Sequence, residues 1–385
     1  MKKNKYIFYL MFLFEGMVFY TSISTLYREA CGLSILQISI IESISLISCL
    51  LLEMPWGIVA DRIGYRKTII LSSFFYLLSK IIFWKANGFT SFLLERIILS
   101  IAISGMSGCD MGMLYLSCEK DDSQKAFSIC TNMQLSGMLF AALVYSLFLS
   151  NKDYRLSGLL TVISYSMVLL LSFGLKEVTP HKMDSTSNET VPSSSQTFIH
   201  LLTAILRDKK QLCFLLGVAL LTETHQSVTV FLGQLQYKAC GLDESYFGYI
   251  LILITLSGML GIFSVRLTHL LGRKHLIYTL FFASTCACLI LAITHQALIS
   301  ILAVILLKIA VSLFEPLQLQ IQNELVSSEQ RATVLSINAV LLEGTGVFTN
   351  ILFGKVADIQ LSWAMLLGGI LCILGVFLVR KLITT

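Results

Sequence analysis

The feature that most constrains this chain is a series of long apolar runs, most of them about 20 residues or more, that recur almost from end to end. A helix of about 20 apolar residues is long enough to cross the hydrocarbon core of a bilayer, which is roughly 30 Å thick. Charged residues make up only 13% of the 385 residues, whereas soluble domains have about a quarter. The sequence therefore predicts an all-helical membrane protein and excludes the soluble and disordered classes.

The apolar runs predict about 12 transmembrane helices in total. No small-residue cleavage site follows the first run, so we expect it to be a retained span and not a signal peptide. The predicted spans cover residues 6–26, 35–60, 68–86, 90–117, 126–149, 156–175, 212–235, 246–265, 275–295, 298–323, 332–354 and 362–379.

The basic residues are distributed unevenly between the two sides of the predicted membrane. Of the 28 Lys and Arg residues, 19 lie in segments on the side of the N-terminus, 6 lie on the opposite side and 3 lie within spans. The positive-inside rule then predicts a multi-pass protein of the cell membrane with both termini in the cytoplasm. This distribution accounts for the net charge of +5, and it forms no clustered basic face of the kind that binds nucleic acid.

A polar segment rich in Ser, Thr and Asn separates six predicted spans from the other six. It predicts three parts: an N-terminal six-helix bundle (1–175), a cytoplasmic linker (176–210) and a C-terminal six-helix bundle (211–385). Apolar residues at helical spacing in residues 198–207 indicate a partly amphipathic linker that lies along the cytoplasmic membrane face.

Short motifs recur between the two halves at offsets of 206 to 209 residues. Ala-Cys-Gly-Leu occurs at residues 30–33 and again at 239–242, and the glycine and bases of residues 64–67 have a counterpart at 272–275. Gln-Lys-Ala at 124–126 corresponds to Gln-Arg-Ala at 330–332. Two parallel six-helix repeats are typical of a transporter, because rocking one bundle on the other exposes a central site to each side in turn.

The segment that closes the second predicted span contains a Gly, three residues, an acid, a base, a second Gly and further bases. This pattern resembles the signature that the major facilitator superfamily carries between spans two and three. The resemblance covers essentially the whole chain and implies the major facilitator fold, with two six-helix bundles related by a pseudo-two-fold repeat, and a monomer. It also implies a cytoplasmic gate, a charge latch that holds the outward-facing state. The gate motif comprises Gly57, Asp61, Arg62, Gly64, Arg66 and Lys67.

The second copy of this motif keeps its glycines and bases but has Val265 where an acid would stand. Other stretches, at residues 53–57, 104–110 and 323–336, resemble a bacterial, drug-efflux-like branch of poorly assigned substrate. Arg96 occupies the place of the span-four arginine that proton-coupled exporters of the superfamily use. That pattern is incomplete, because Leu99 and Ser100 replace the Gln and Gly expected after the arginine and because Gly137 lacks the proline of antiporter span five.

Ionisable residues inside the predicted spans are the functional candidates, because a charge at the bilayer centre costs at least about 2.5–3.5 kcal/mol. Acids outnumber bases among them, which favours cations and proton loading in a central cavity. The candidates for this substrate and proton cavity are Glu15, Arg96, Asp110, Glu223, His225, Lys308, Glu315 and Glu343.

Helical periodicity arranges several of these residues on shared faces. Asp110 and Arg96 fall near one face of span four, well away from the small-residue stripe of Ser104, Gly108 and Gly112. Static pairing of Glu15 with Arg96 stays open.

In the second half, Lys308 and Glu315 share a face of span ten, and Glu343 could pair with Lys308. Glu223 and His225 are nearly opposite on span seven, which favours Glu223 for the cavity and keeps His225 as an alternative proton carrier.

Three further acids are predicted to lie outside the cavity. Glu42 and Glu95 lie close to predicted span ends, where we expect them to reach the lipid headgroups. Glu53 is expected to belong to the gate. Of the ten cysteines, Cys31 and Cys240 are repeat mates in two outward loops; we expect free thiols, with a disulfide between them as the alternative.

The sequence has no His-Glu-x-x-His motif, no Gly-x-Ser-x-Gly motif and no cofactor loop, and it predicts neither an enzyme nor a metal site. We expect a secondary transporter without a cofactor, driven by the proton gradient, that exports small amphipathic or cationic compounds by antiport. Proton symport or facilitated uptake of a small metabolite is the alternative, and an intramembrane enzyme or sensor is a remote one. The expected partners are a small-molecule substrate, protons and membrane lipid.

Overall fold

The computed structural model describes residues 2–118, 123–150, 153–178, 203, 205–324 and 331–383. The side chains of residues 2, 54, 61, 124, 331–333, 335, 336, 382 and 383 lie outside that description. The described residues form helices and no strands, and 12 helical stretches are long and apolar enough to cross a membrane. This confirms the prediction of an all-helical protein with about 12 spans.

The spanning stretches contain sixteen α-helices in chain order. They are α1 (Lys2–Gly16), α2 (Ser24–Ala30), α3 (Ile35–Ile63), α4 (Tyr65–Lys85), α5 (Gly88–Met106), α6 (Cys109–Ser117), α7 (Ser123–Val144), α8 (Tyr154–Phe173), α9 (Lys209–His225), α10 (Gly233–Ala239), α11 (Phe247–Gly258), α12 (Ser264–Leu271), α13 (Arg273–Ile293), α14 (Ala297–Glu324), α15 (Arg331–Ile359) and α16 (Leu361–Ile383).

Four spans are each built from two of these helices: the first from α1 and α2, the fourth from α5 and α6, the seventh from α9 and α10, and the eighth from α11 and α12. Wider π-helical turns follow α7 at Tyr145–Leu149 and α9 at Gln226–Leu232. Short 3-10 turns at Glu244–Tyr246 and Met259–Phe263 flank α11.

Span four departs from the predicted helices at a site that carries a functional candidate. The prediction of one continuous helix over residues 90–117 is wrong, because α5 ends at Met106 and α6 begins at Cys109. Gly108 at the break has φ of +76°, a left-handed conformation that glycine adopts without the strain of a Cβ. Faces counted at 100° per residue therefore do not carry through from Arg96 to Asp110.

The chain forms two compact units. The first comprises Met1–Met183 and Asp243–Ile252, and the second comprises Asp184–Leu242 and Leu253–Thr385. The short segment 243–252 thus belongs to the first unit although it lies in the second half of the sequence. Most of the predicted linker, residues 179–202 and residue 204, lies outside the described residues, so the amphipathic character of 198–207 stays a prediction.

The core of the first unit packs α1 closely against α7. Phe8, Met11 and Cys130 are fully buried in an apolar cluster that both helices share with α4, α6 and α8. A Cβ at Gly137 would overlap the carbonyl oxygen of Leu13, and one at Gly16 would overlap the carbonyl oxygen of Gln134. Small residues at such contacts let the backbones of spanning helices approach closely.

The core of the second unit is built around buried aromatic rings on different helices. Phe214 of α9, Phe281 of α13 and Phe314 of α14 are fully buried, and the rings of Phe281 and Phe314 meet edge to face at 5.4 Å. Ile205, in the last part of the predicted linker, is buried in the same cluster. That part of the linker is therefore packed into the second unit.

Candidate functional site

A pair of acids lies inside the first unit, where α1 ends and α6 begins. Glu15 is in the last turn of α1, and Asp110 is in the first turn of α6, just after the break at Gly108. The two carboxylates are close enough to interact electrostatically. The Asp110 carboxylate also accepts a 2.6 Å hydrogen bond from the backbone N–H of Met111. The interrupted span thus brings the Asp110 carboxylate to a helix start, which favours negative charge.

Tyrosines surround this acid pair. The hydroxyl of Tyr165 donates a hydrogen bond to the backbone carbonyl of Glu15 at 3.1 Å, and the rings of Tyr165 and Tyr76 lie 5.7 Å apart. Tyr76 interacts electrostatically with both acids. The first unit therefore holds two carboxylates among aromatic side chains inside the spans.

A second pair of acids lies inside the second unit, between α9 and α15. Glu223 interacts electrostatically with Glu343. The Glu223 carboxyl also lies against Gly346, where a Cβ would be 2.8 Å from the carboxyl carbon. The glycine, three residues beyond Glu343, leaves the space that the Glu223 carboxyl fills.

The two basic candidates of the second unit interact with each other. Lys308 interacts electrostatically with His225, and its Cε lies only 2.7 Å from where a Cβ at Gly258 would be. The pairing of Lys308 with Glu343 stays a prediction. Glu315 is exposed on α14 next to Pro316. Whereas the Glu223 carboxyl lies against Gly346 of α15, the buried Nε2 of His225 has no hydrogen-bond partner among the described residues.

Arg96 belongs to a buried ion-pair network and not to the Glu15 and Asp110 pair. It forms a short ion pair with Glu42, which also pairs with Arg28 at 2.7 Å. Arg96 Nε is 3.9 Å from a carboxylate oxygen of Glu95. The Glu42 and Glu95 side chains are 12% and 1% exposed, so the expectation that Glu42 and Glu95 reach the headgroups is wrong.

Lys80 lies beside this network with its charge over aromatic rings. Its Nζ is 5.9 Å from the centre of the Tyr20 ring and 5.1 Å from the centre of the Tyr165 ring. Sequence reasoning placed Lys80 within a span but assigned it no role. The side chains that meet here come from several helices, and no short motif in the sequence links them.

The gate motif contacts an acid that sequence reasoning did not single out. Glu177, which follows α8, accepts hydrogen bonds from the backbone N–H of Arg66 at 3.3 and 3.2 Å. Gly64 has φ of +91° and leaves space for the Glu177 carboxylate, which would lie 2.9 Å from a Cβ there. Arg66 also donates through Nη2 to the carbonyl oxygen of Phe173 at 3.1 Å.

The remaining gate residues are less constrained by contacts. Arg62 and Lys67 are exposed, nothing lies within 4 Å of a Cβ at Gly57, and the Asp61 side chain lies outside the described residues. The assignment of Asp61 to a latch therefore stays a prediction. In the second copy of the motif, Arg273 forms two hydrogen bonds of 2.7 and 2.8 Å with Glu324, at the end of α14. That copy thus has an acid from another helix.

Among the described residues, four carboxamide side chains of the second unit, those of Gln211, Gln318, Gln322 and Asn338, have a buried amide atom without a hydrogen-bond partner. Asn338 of α15 is 1% exposed and neither of its amide atoms is paired; Gln318 Oε1 and Gln322 Nε2 of α14 are also unpaired. Buried polar groups are rarely left unsatisfied. A polar ligand would supply the missing partners.

The cysteines and the possible metal ligands add no further chemistry. Cys31 and Cys240 are free, and burial raises the pKa of the Cys31 thiol. Within the part of the chain that the structure describes, no cluster of three or more His, Cys, Asp or Glu could hold a metal ion.

The chain is similar to known transporters in sequence pattern and in fold. The sequence model of the Major Facilitator Superfamily matches residues 6–348. No curated protein matches the chain.

Several solved structures share its fold. A mutant of the nucleoside transporter NupG has a TM-score of 0.82 at 14% identity, covering 99% of both chains. A D-xylose–proton symporter has a TM-score of 0.70 at 14% identity, covering 96% of this chain and 95% of that one. An inward-facing bacterial homologue of the human lysosomal transporter Spinster has a TM-score of 0.66 at 15% identity, covering 100% and 94%.

Proposed function

The chain belongs to the major facilitator superfamily, and from this premise we propose that it exports small amphipathic or cationic compounds in exchange for protons. It is a multi-pass membrane protein and a secondary transporter of small molecules, not an enzyme. The finer assignment concerns the direction of transport, the coupling ion and the class of substrate.

The observation that carries the proposal is the pairing of acids inside both units. Glu15 lies near Asp110, and Glu223 lies near Glu343. Two carboxylates that interact inside membrane spans make it costly for both to stay charged, so such a pair favours uptake of a proton or a cation. An acid pair in each unit therefore supports exchange of protons for a cationic substrate.

Two of the basic candidates interact with groups outside these acid pairs. Arg96 is held by Glu42, and Lys308 lies beside His225. The proton gradient can supply the energy without a cofactor, since one charge crossing 100 mV provides about 2.3 kcal/mol. The charge distribution supports a location in the cell membrane with both termini in the cytoplasm.

A second candidate function is uptake of a small polar metabolite by proton symport or facilitated diffusion. The unpaired carboxamides of Gln318, Gln322 and Asn338 favour it, because polar substrates are held by hydrogen bonds to such groups. The nucleoside transporter and the D-xylose–proton symporter are similar to this chain in fold, and the acid pairs would serve symport equally well.

The decisive experiment measures transport of labelled lipophilic cations into inside-out vesicles, with and without an imposed proton gradient directed out of the vesicle. Antiport predicts uptake that the gradient stimulates. Glu223→Gln and Glu343→Gln should lose most of this stimulation. Asp358→Asn is the matched control, because Asp358 is an exposed acid near the end of the same helix as Glu343 and should keep it.

Each alternative result has a clear meaning. If no cation in a broad panel responds to the gradient, the antiport proposal is wrong. If right-side-out vesicles accumulate labelled nucleoside or pentose under an inward proton gradient, the symport candidate replaces it. If both Gln variants behave as the Asp358→Asn control does, the acid pair of the second unit is not the coupling site.

A further inference from the structure

A groove of about 320 Å³ opens between α4 and α8 on the surface of the first unit. Its walls are apolar. They are formed by Ile70, Leu71, Phe74, Leu169 and Phe173, with Lys67 at one end.

The exposure of these walls places the groove in lipid. The Leu71, Phe74 and Phe173 side chains are 37%, 48% and 53% exposed, and both helices are membrane spans. Exposed apolar side chains on a spanning helix are solvated by acyl chains. The groove is therefore a depression in the surface of the protein that faces the acyl chains of the bilayer.

The end of the groove at Lys67 is basic. Lys67 lies in the first turn of α4 and is exposed. Next to it, Arg66 donates to the carbonyl of Phe173, a wall residue, and its buried Nε has no hydrogen-bond partner. Two more exposed bases lie near these residues in sequence, Arg62 before Lys67 and Lys176 after Phe173, and each has an acid as its neighbour, Asp61 and Glu177. Four bases against two acids leave an excess of positive charge at this end.

The lining residues limit the class of molecule that the groove can bind. Lys67 is the one polar residue among the groove's lining residues, whereas pockets for polar substrates carry several converging polar groups. An apolar chain attached to an anionic head matches both the walls and the charged end. A zwitterionic headgroup would bring its own cation against Lys67, which makes it the weaker fit.

We propose that this groove binds an anionic phospholipid of the cytoplasmic leaflet, with an acyl chain between α4 and α8 and the phosphate at Lys67. The proposal rests on the orientation that the positive-inside rule predicts, which puts the start of α4 at the cytoplasmic face. Basic pockets between spanning helices on that face bind anionic headgroups. It does not depend on which substrate is transported.

The test uses the purified full chain in detergent, with dioleoyl phosphatidylglycerol or phosphatidylcholine titrated in mixed micelles and bound lipid counted by native mass spectrometry. Wild type should retain phosphatidylglycerol more tightly than phosphatidylcholine. Lys67→Gln should weaken phosphatidylglycerol binding roughly fivefold, as expected for the loss of one base near an anionic headgroup. Lys67→Arg should restore it.

Two further variants separate the groove from general surface charge. Lys274→Gln is the matched control, because Lys274 is an exposed base in the first turn of α13, the corresponding helix of the second repeat; it should change binding less than twofold. Leu71→Trp keeps every charge but fills the groove, so it should weaken phosphatidylglycerol binding as strongly as Lys67→Gln does.

Three results would overturn the proposal. They are equal losses from Lys67→Gln and Lys274→Gln, full retention of phosphatidylglycerol by Leu71→Trp, or equal affinity of the wild type for both lipids. Displacement of the bound lipid by inorganic phosphate at micromolar concentration would also overturn it, because the site would then recognise a free anion and not a lipid.

Discussion

At the scale of single residues, the most consequential side chain of the first unit is Glu42. It neutralises both Arg28 and Arg96 inside the spans, so it holds α2, α3 and α5 together by charge. Removing one member of a buried ion pair leaves an uncompensated charge, which costs far more than the pair contributes while it is intact. Substitutions that remove a charge from this network should therefore lower the stability of the protein strongly.

We expect Glu42→Gln to destabilise the protein by about 3–5 kcal/mol, because Arg28 loses its counter-charge and Arg96 keeps only the longer contact with Glu95. The measurement is the free energy of unfolding in detergent, followed by circular dichroism during denaturant titration. Glu324→Gln is the control, since the pair of Glu324 with Arg273 is 45% and 39% exposed and should contribute less than about 1 kcal/mol. Equal losses from the two variants would show that the Glu42 network is not a buried one.

The residue scale is also where prediction from sequence fails most clearly. An intramembrane acid can be recognised from composition alone, because charge is costly in lipid. The partner of such an acid cannot be recognised from composition, because it depends on how each helix is rotated and where the helix is interrupted. Glu42 and Arg96 are 54 residues apart and meet, whereas Lys308 and Glu315 share a predicted face and lie in different surroundings.

At the scale of helices, close backbone contacts decide how the first unit packs. In the sequence, Gly137 stands where antiporters of the superfamily have a glycine followed by a proline, and that proline is absent. In the structure it is the residue that lets α7 meet α1, since a Cβ there would overlap the carbonyl oxygen of Leu13. The glycine therefore has a packing role that is independent of any antiport motif.

Gly137→Ala should destabilise the first unit by about 1–3 kcal/mol or more, because α1 and α7 would have to move apart. Thermal unfolding of the purified protein in detergent measures the effect. In Gly344→Ala, nothing lies within 4 Å of the new Cβ, and the better helix propensity of alanine should leave stability unchanged or slightly raised. A Gly137→Ala protein as stable as Gly344→Ala would contradict the close contact.

The segment 243–252 is held in the first unit by a hydrogen bond between helices. The Tyr154 hydroxyl lies 2.7 and 2.6 Å from the two carboxylate oxygens of Glu244. Further along the segment, Gly248 packs against the backbone of Ala142. Since hydrogen bonds to charged groups contribute about 1.5–3 kcal/mol, Tyr154 should account for much of the order of this segment.

We expect Tyr154→Phe to speed hydrogen exchange of the amides in residues 243–252 about tenfold, the factor that corresponds to ~1.4 kcal/mol of local stability. Exchange followed by mass spectrometry measures this directly. Tyr246→Phe is the control within the segment, because that ring is 54% exposed and should leave exchange unchanged. If Tyr154→Phe also leaves exchange unchanged, packing and not this hydrogen bond holds the segment.

At the scale of the whole molecule, the fold could be predicted from the sequence because the bilayer itself sets the length of each apolar run. Twelve apolar runs and three repeated motifs were enough to predict the two-repeat architecture. The break at Gly108 and the wider turns after Val144 and His225 were not foreseeable, because hydropathy does not distinguish a continuous helix from two helices in series. The break at Gly108 is also what places Asp110 in the first turn of α6.

The orientation of the molecule follows from its charge distribution and can be tested directly. With both termini in the cytoplasm, green fluorescent protein fused after Thr385 should fluoresce and alkaline phosphatase fused there should be inactive. Fusions after Gly32, in the first predicted outward loop, should behave in the opposite way. An active phosphatase at the C-terminus would reverse the proposed orientation and, with it, the leaflet assigned to the groove at Lys67.

The gate motif is expected to control the conformational change that accompanies transport. The resemblance of the gate motif implies that Asp61 latches one state, and the structure adds that Glu177 holds the same loop through the backbone of Arg66. Asp61→Asn should therefore slow transport about tenfold, equivalent to ~1.4 kcal/mol on the conformational step, while the affinity for substrate stays within twofold. Vesicle transport and equilibrium binding measure the two quantities separately.

The control is Arg266→Gln, which removes an exposed base from the second copy of the motif and should change neither the transport rate nor the substrate affinity as strongly. If Asp61→Asn abolishes binding, the aspartate belongs to the substrate site and not to a latch.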